Sequence, residues 1–302
     1  MNSKAAMSAG TRLAGTPDPM VFFQGANGVR IAADYFGNEQ GPLVILQHGG
    51  GQTRHAWKDA GEALGDAGYY AVALDARGHG DSDWSPDGDY ELDAMVEDLR
   101  CVVDALGERR PALVGASMGG VCSLVAVGEG RLDAAALVLV DVAPRIEKEG
   151  VERIGAFMRQ KPEGFDSLEE IAEAISNYQP HRKRSKDLSG LAKNVRLAAN
   201  GKYRWHWDPQ IRARRMDIDE RRKRLEACAR RLKVPTLLVR GGLSDLLTEE
   251  GVRDFLRLAP HSEYVNVKDA AHMVAGDRND VFASAVIAFL TRTVPVHGTK
   301  TA

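Results

Sequence analysis

The chain has 302 residues, and its 44% hydrophobic content is enough for a sizeable core in one large or two small domains. No apolar stretch approaches the roughly 20 residues that a membrane-spanning helix needs, and the N-terminal region lacks the apolar core of a secretory signal. We therefore expect a cytoplasmic protein with a flexible leader at 1–20. The cysteines Cys101, Cys122 and Cys228 lack metal-type spacing, so neither a disulfide framework nor a zinc site is expected.

A net charge of -2 conceals an uneven distribution of charge along the chain. Residues 181–233 contain 18 Lys and Arg but only 6 Asp and Glu, which indicates a separate module. Nucleic-acid binding is one interpretation, but no recognised binding motif accompanies the basic residues. We favour a solvated helical surface that packs on an acidic partner domain, and we expect no nucleic-acid partner.

The first half of the chain alternates between strand and helix patterns. Two β-type runs, 21–24 and 29–36, are joined through Asn27-Gly28, a strong hairpin signal. Short apolar runs without alternation then predict strands buried on both faces. These runs are 43–47, 69–74, 112–114 and 136–140. A helix is predicted at about 91–106, because its apolar residues recur at spacings of three and four. Such alternation predicts a mostly parallel sheet with right-handed crossovers.

The alternation stops after Asp141 for about 90 residues. Residues 150–231 are rich in charge and predict helices and loops without a convincing strand. Strand patterns resume at 235–239 and 263–267, and an apolar helix follows the last of them. We therefore predict an α/β core at 21–142 and 233–295, a helical cap at 143–232 and a tail at 296–302. The cap should join the carboxyl edge of the sheet, where open α/β sheets bind ligands.

The segment Gly115-Ala116-Ser117-Met118-Gly119 lies between a predicted strand and a helix-compatible stretch. This arrangement is typical of a nucleophile elbow, in which a serine on a sharp turn has strained dihedrals and glycines tolerate crowded backbone. A serine hydroxyl needs a base and donors for the oxyanion to attack a carbonyl. The N–H of Met118 is predicted to be one of those donors.

A glycine-rich loop, residues 47–52, follows the strand predicted at 43–47. Glycines allow backbone N–H groups to approach a ligand closely, so we predict Gly50 as the second oxyanion donor. A tight turn between strand and helix is the alternative. His48 adjoins this loop and is interpreted as an orienting residue.

A carboxylate near the end of the strand at 235–239 is needed to accept the ring N–H of a catalytic histidine. Asp245 is predicted for this role, and Asp141, at the end of another strand, is the alternative acid. Capping of the next helix does not require Asp245, because Thr248 is also placed to cap it.

His272 lies in a loop after the last predicted strand and before the final helix. The unperturbed pKa of histidine, near 6.5, suits it to accept and return a proton near neutral pH. The order Ser117, Asp245, His272 matches the order of the triad in one hydrolase architecture, with each residue near a strand end. These three residues are the predicted catalytic triad.

The chain resembles the α/β-hydrolase superfamily over almost all of residues 21–293. His48-Gly49-Gly50 is similar to the oxyanion loop of that superfamily, residues 75–82 to its D-x-R-G-x-G-x-S turn, and residues 115–120 to its S-M-G-G elbow. The resemblance implies that the 75–82 turn is structural. It also implies a capped α/β-hydrolase fold that needs no metal or organic cofactor.

The resemblance also narrows the chemistry. Relatives with an aspartate nucleophile, the haloalkane dehalogenases and epoxide hydrolases, are excluded by Ser117. We predict a carboxylic ester or lactone hydrolase that forms an acyl-enzyme with a small to medium, largely apolar substrate. Carbon-carbon hydrolysis of dienoic keto acids, perhydrolase activity and a weakly active ligand-binding protein are the alternatives. A small-molecule substrate is the predicted partner, and a homo-oligomer is a further possibility.

Aromatic residues are concentrated in the predicted cap and could wall an apolar acyl pocket. Packing of the cap on the core is an equally weighted interpretation. Arginines in the cap could hold a substrate carboxylate by bidentate pairing, which would favour the keto-acid alternative. The predicted substrate-binding residues are Gly49, Trp57, Met158, Tyr203, Trp205 and Trp207.

Overall fold

A computed structural model describes residues 9–107, 109–180, 188–212, 217–277 and 279–296. The strands in this part of the chain are β1 (Thr11–Arg12), β2 (Val21–Gln24), β3 (Arg30–Phe36), β4 (Leu43–Gln47), β5 (Tyr70–Leu74), β6 (Ala112–Ala116), β7 (Ala136–Val140), β8 (Val195–Leu197), β9 (Tyr203–Trp205), β10 (Thr236–Gly241) and β11 (Glu263–Val267). The α-helices are α1 (Lys58–Asp66), α2 (Leu92–Ala105), α3 (Met118–Gly128), α4 (Lys148–Arg159), α5 (Leu168–Tyr178), α6 (Ile218–Arg231), α7 (Glu249–Leu258), α8 (Val274–Asp277) and α9 (Asn279–Thr293).

Eight strands form the central sheet in the order β11-β10-β7-β6-β4-β5-β3-β2. Neighbouring strands pair in parallel from β11 through β10, β7, β6 and β4 to β5. In contrast, β3 pairs antiparallel with both β5 and β2. Asn27 and Gly28, in the connection between β2 and β3, both have positive φ, 55° and 79°. The predicted hairpin and the predicted mostly parallel α/β-hydrolase sheet are confirmed.

Both faces of the sheet are covered by helices, which explains the continuous apolar runs in the sequence. In β4, Ile45 packs into a cluster with residues of α2, α3, α6 and α7. Its neighbours Val44 and Leu46 point the other way, into a cluster with α1 and α9. The alternation of side chains along each strand therefore supplies two cores from one short sequence.

The predicted boundaries of the leader and cap require three corrections. β1, in the predicted flexible leader, pairs antiparallel with β8, and β8 pairs with β9, so the cap contains a three-stranded sheet. The expectation of no strand in residues 150–231 was therefore wrong. α6 also lies outside the cap, because Leu225, Cys228 and Ala229 are buried in a core cluster with α3. The cap is hereafter residues 143–212, while residues 1–8 and 297–302 lie outside the described ranges.

Apolar packing holds the cap together internally. Its cluster contains Met158 from α4, Phe165, Ile171 from α5, Val195 from β8 and two tryptophans, Trp205 and Trp207. No helix in the described ranges is long and apolar enough to cross a membrane.

The cap, the leader and the core meet at one carboxylate, that of Asp81 in the turn after β5. Its oxygens lie 3.2 Å from Arg12 of the leader, 2.8 Å from Arg54 of the core and 2.8 Å from Arg196 of the cap. The side chains of Asp81, Arg54 and Arg196 are at most 7% exposed. Buried charges are tolerated only when they are paired and hydrogen-bonded, so this junction fixes the cap on the core.

We predict that Arg196→Met lowers the free energy of unfolding by about 3 kcal/mol, because it removes one partner from a buried charge network. Urea unfolding followed by circular dichroism measures this loss. Arg110→Met is the matched control, since Arg110 pairs with Asp133 on the surface, where both side chains are more than half exposed. The control should lose less than about 1 kcal/mol, and equal losses in the two variants would contradict the assigned junction.

Candidate active site

Ser117 lies at the junction of β6 and α3 with φ 47° and ψ -109°, a conformation that side-chain-bearing residues rarely adopt. The turn is held by the surrounding sheet, because the N–H of Ser117 donates to the carbonyl of Val140 at 3.1 Å. This strained turn between strand and helix is the geometry of a nucleophile elbow.

The flanking glycines are required by close backbone contacts. A Cβ on Gly115 would lie 2.5 Å from the backbone of Gly119 and Gly120. A Cβ on Gly119 would lie 2.5 Å from the carbonyl oxygen of Gln47. Any larger residue at these positions would push the serine away from the glycine loop that follows β4.

His272 reaches a buried carboxylate across the sheet edge. Its Nδ1 lies 2.7 Å from Oδ2 of Asp141, which is completely buried. Asp141 also accepts hydrogen bonds from the N–H of Gly241, at 2.9 Å, and from the hydroxyl of Ser244. Three donors from the segments after β10 and β11 thus compensate one buried charge.

The prediction that Asp245 is the partner of His272 was wrong. Asp245 has a side chain that is 40% exposed and pairs with Arg153 of α4 in the cap. The backbone turns before it, since the N–H of Ser244 donates to the carbonyl of Gly241 at the end of β10. Asp245 therefore points to the cap, whereas the neighbouring hydroxyl of Ser244 contacts the acid that His272 uses.

A sequence signal for Asp141 existed. Asp141 directly follows β7, whereas Asp245 comes four residues after Gly241, the last residue of β10. The chain order serine, aspartate, histidine is the same for both acids, so order alone did not distinguish them. A carboxylate next to a strand end is positioned by the sheet, and a carboxylate beyond a turn is not.

Ser117 and His272 line the same cavity, whose volume is about 980 Å³. The cavity lies between the carboxyl edge of the sheet and the cap. The side chain of His272 is 17% exposed, so the face of the ring that does not contact Asp141 is accessible from the cavity. Much of the wall is apolar, and these wall residues include Val140, Ile146, Val151, Ile154, Phe157, Ile175 and Leu246.

The backbone amides of Gly50 and Met118, both at this wall, have no hydrogen-bond partner among the described residues. The adjacent amides are all used. Gly49 donates to Gln52 and Gly51 to His79, while Gly119 donates to the carbonyl of His48. The unused pair matches the two predicted oxyanion donors, and it is available to a negatively charged oxygen.

A row of buried histidines holds the glycine loop, and sequence reasoning missed two of its members. The rings of His48, His79 and His206 lie in succession, with centroids 5.1 and 5.9 Å apart. Each accepts a backbone N–H, from Ala76, Gly51 and Gly80 respectively. Burial lowers the pKa of His48 and lowers that of His206 well below its usual value. The row connects the cap residue His206 to the loop through neutral rings.

The turn at residues 75–82 also braces the loop, as the resemblance implied. The carboxylate of Asp75 accepts hydrogen bonds from the N–H and the guanidinium of Arg54 at 2.6 and 2.7 Å. Burial opposes the charge of Asp75, but Arg54 and the backbone donors outweigh it, and the pKa of Asp75 is lowered. Arg77 pairs in the same way with Asp98 of α2.

The predicted substrate-binding residues divide into two groups. Gly49, Trp57, Trp205 and Trp207 line the cavity, and the two cap tryptophans stack with centroids 4.9 Å apart. Met158 and Tyr203, also predicted, do not line this cavity. Met158 instead packs inside the cap, where its carbonyl accepts the indole N–H of Trp207.

The neutral histidines predict an acid-sensitive fold. Their folded-state pKa values lie below the unfolded value near 6.5, so the unfolded chain binds more protons and stability is lost as pH falls below about 6.5. We predict that His206→Gln reduces the difference in unfolding free energy between pH 7.5 and pH 5. Urea unfolding at both pH values measures it.

The control for this experiment is His261→Gln, because His261 is exposed. It should leave the pH dependence of unfolding as it is in the wild type. An unchanged pH dependence in the His206 variant would contradict a neutral buried ring.

Comparison with known proteins identifies the family of this fold. A family model described as the alpha/beta hydrolase fold matches residues 42–278. Esterase Rv0045c of Mycobacterium tuberculosis is 30% identical over 78% of this chain and 78% of its own length. A 3-hydroxybutyrate-oligomer hydrolase of Cupriavidus necator is 29% identical over 80% of this chain and 87% of its own length. The solved structure of E-2-(acetamidomethylene)succinate hydrolase, 22% identical, superposes with a TM-score of 0.79 over 89% of this chain and 98% of that chain.

Proposed function

Because the chain belongs to the alpha/beta hydrolase fold family, we propose that it cleaves carboxylic esters or lactones through an acyl-enzyme on Ser117. An esterase-type hydrolase is what its similarity to the M. tuberculosis esterase supports. The observation that carries the proposal is the 2.7 Å contact between His272 and the buried Asp141, on the cavity that Ser117 also lines.

The first half of the reaction forms the acyl-enzyme. His272 accepts the proton of the Ser117 hydroxyl through Nε2 while the serine oxygen bonds to the substrate carbonyl carbon. The resulting oxyanion accepts hydrogen bonds from the N–H groups of Gly50 and Met118. When the carbon-oxygen bond of the ester breaks, His272 returns its proton to the departing alkoxide and an alcohol leaves.

The second half releases the acid. Water gives a proton to His272 as its oxygen attacks the acyl carbon, and the proton returns to Ser117 when the acyl-serine bond breaks. Asp141 holds the ring with Nδ1 protonated throughout and stabilises the imidazolium in both halves. In this proposal the triad is Ser117, His272 and Asp141, with Asp141 replacing the acid expected from the sequence.

The cavity supports an ester with an apolar group of small to medium size. Its apolar wall, with the stacked Trp205 and Trp207, suits a hydrocarbon chain. The two arginines of the described wall are not free to bind the carboxylate of a keto acid. Arg224 is bonded to Asp93 and Glu129, and Arg221 also has a partner.

We predict that Ser117→Ala lowers kcat for 4-nitrophenyl butyrate by at least about 10⁴-fold, because the nucleophile is lost. Release of nitrophenolate measures the rate, and a thermal melt verifies folding. Ser284→Ala, on the exposed face of α9, is the control and should keep wild-type turnover. Turnover that survives in the Ser117 variant would refute the acyl-enzyme. A wild type that hydrolyses no nitrophenyl ester would instead favour a ligand-binding role.

We predict opposite results for the two acids. Asp141→Asn should lower kcat/KM by about 10³ to 10⁴-fold, because an amide neither fixes the tautomer of His272 nor stabilises its charged form. Asp245→Asn should change kcat/KM by less than about threefold, since an exposed surface pair contributes little. Nitrophenyl-ester kinetics on the two variants measure both effects. A large loss only in the Asp245 variant would overturn this assignment.

A further inference from the structure

One wall of the catalytic cavity contains a cation whose charge is not balanced. Among the lysines and arginines of the described wall, Lys58 pairs with Glu62, Arg224 with Asp93 and Glu129, and Arg221 has a partner. Lys193 is different. Its side chain forms no ion pair or hydrogen bond with the described residues, although it is partly buried.

The surroundings of Lys193 do not neutralise it. His55 is the nearby ring on the wall, and burial, Arg54 and Lys193 together lower the pKa of His55 to about 4, so the ring is neutral at pH 7. The carboxylates of this region are already occupied, since Asp34, Asp75 and Asp81 surround Arg54. Asp59, also on the wall, is exposed and does not pair with Lys193.

Polar groups without charge also line the cavity. They include Gln52, Thr53 and Asn194, and the amide oxygen of Gln52 is occupied by the N–H of Gly49. The amide nitrogen of Gln52 is therefore available as a donor. A partly desolvated cation in a cavity that also offers a donor is stabilised by an anionic ligand.

Lys193 is also held in place by the cap. It belongs to the short 3-10 helix Ser189–Asn194, and the carbonyl of Asn194 accepts the N–H of His206. Since His206 contacts the turn after β5, this helix is tied to the base of the cap. The backbone segment that carries Lys193 is thus anchored to the cap.

We propose that Lys193 binds a carboxylate of the substrate, so that the enzyme selects esters with one anionic end and one apolar part. This inference rests on the proposed function and adds the substrate class. The apolar part lies against the wall formed by α4 and α5, which includes Ile154, Phe157 and Ile175. The carboxylate lies at Lys193 and the ester carbonyl at Ser117, both on the wall of the same cavity.

The test compares esters that differ only in charge. In the first series the carboxylate is on the acyl part of the ester. It consists of 4-nitrophenyl hemiesters of dicarboxylic acids from succinate to suberate, each compared with its neutral methyl ester. In the second series the carboxylate is on the alcohol part. It consists of acetyl esters of hydroxy acids, each compared with its neutral methyl ester. The wild type should prefer the anionic member in one series by about tenfold to a hundredfold in kcat/KM, and added salt should reduce this preference.

Substitution then identifies the residue responsible. Lys193→Gln should abolish the preference for the anionic ester, whereas Lys193→Arg should keep most of it. Lys58→Gln is the matched control, because Lys58 is an exposed lysine on the same wall that pairs with Glu62, and it should leave the preference as in the wild type.

The outcomes separate this inference from the proposed function. The carboxylate site is overturned if the wild type hydrolyses both members of every pair equally, or if the Lys193→Gln variant retains the preference. Neither result contradicts the proposed esterase activity. An enzyme that hydrolyses no ester of either series, or whose Ser117→Ala variant is as active as the wild type, overturns both.

Discussion

The buried carboxylate of Asp141 is the constraint on which the site depends. A fully buried anion is costly unless several donors compensate it, and here the donors come from the segments that follow β10 and β11. Gly241, Ser244 and His272 are distant from Asp141 along the chain, but the parallel order β11-β10-β7 brings them to one edge. Compensation of the Asp141 charge therefore fixes the position of the His272 ring next to the cavity.

A second charge network fixes the cavity above that edge. Asp81 joins the cap residue Arg196 to Arg54, and the N–H of Arg54 in turn donates to Asp75 beside the glycine loop. Displacement of the cap would break this network and also the contact of His206 with Gly80. The cap therefore also helps to position the glycine loop that contains Gly50, because both contact the turn at residues 75–82.

The fold was more predictable from the sequence than the site. Buried parallel strands have an apolar pattern that does not depend on distant partners, so β4 and β7 were predicted with their observed bounds. The strands β1 and β8 are two and three residues long, and β8 pairs with β9 and with β1, which is distant along the chain, so no local pattern indicated them. The elbow and the two proposed oxyanion donors followed from a motif, but the choice between Asp141 and Asp245 required the geometry of one turn.

Tertiary contacts also decide which charged residues of the basic segment 181–233 bear on function. Two arginines of this segment are balanced by carboxylates of the core, Arg196 by Asp81 and Arg224 by Asp93 and Glu129. These pairs attach the cap and α6 to an acidic core, as the charge asymmetry predicted. A charge left over after such pairing is informative because folding alone gives no reason to bury it. Lys193 meets that criterion on the wall that Ser117 shares, which is why we infer that a substrate carboxylate is its counter-ion.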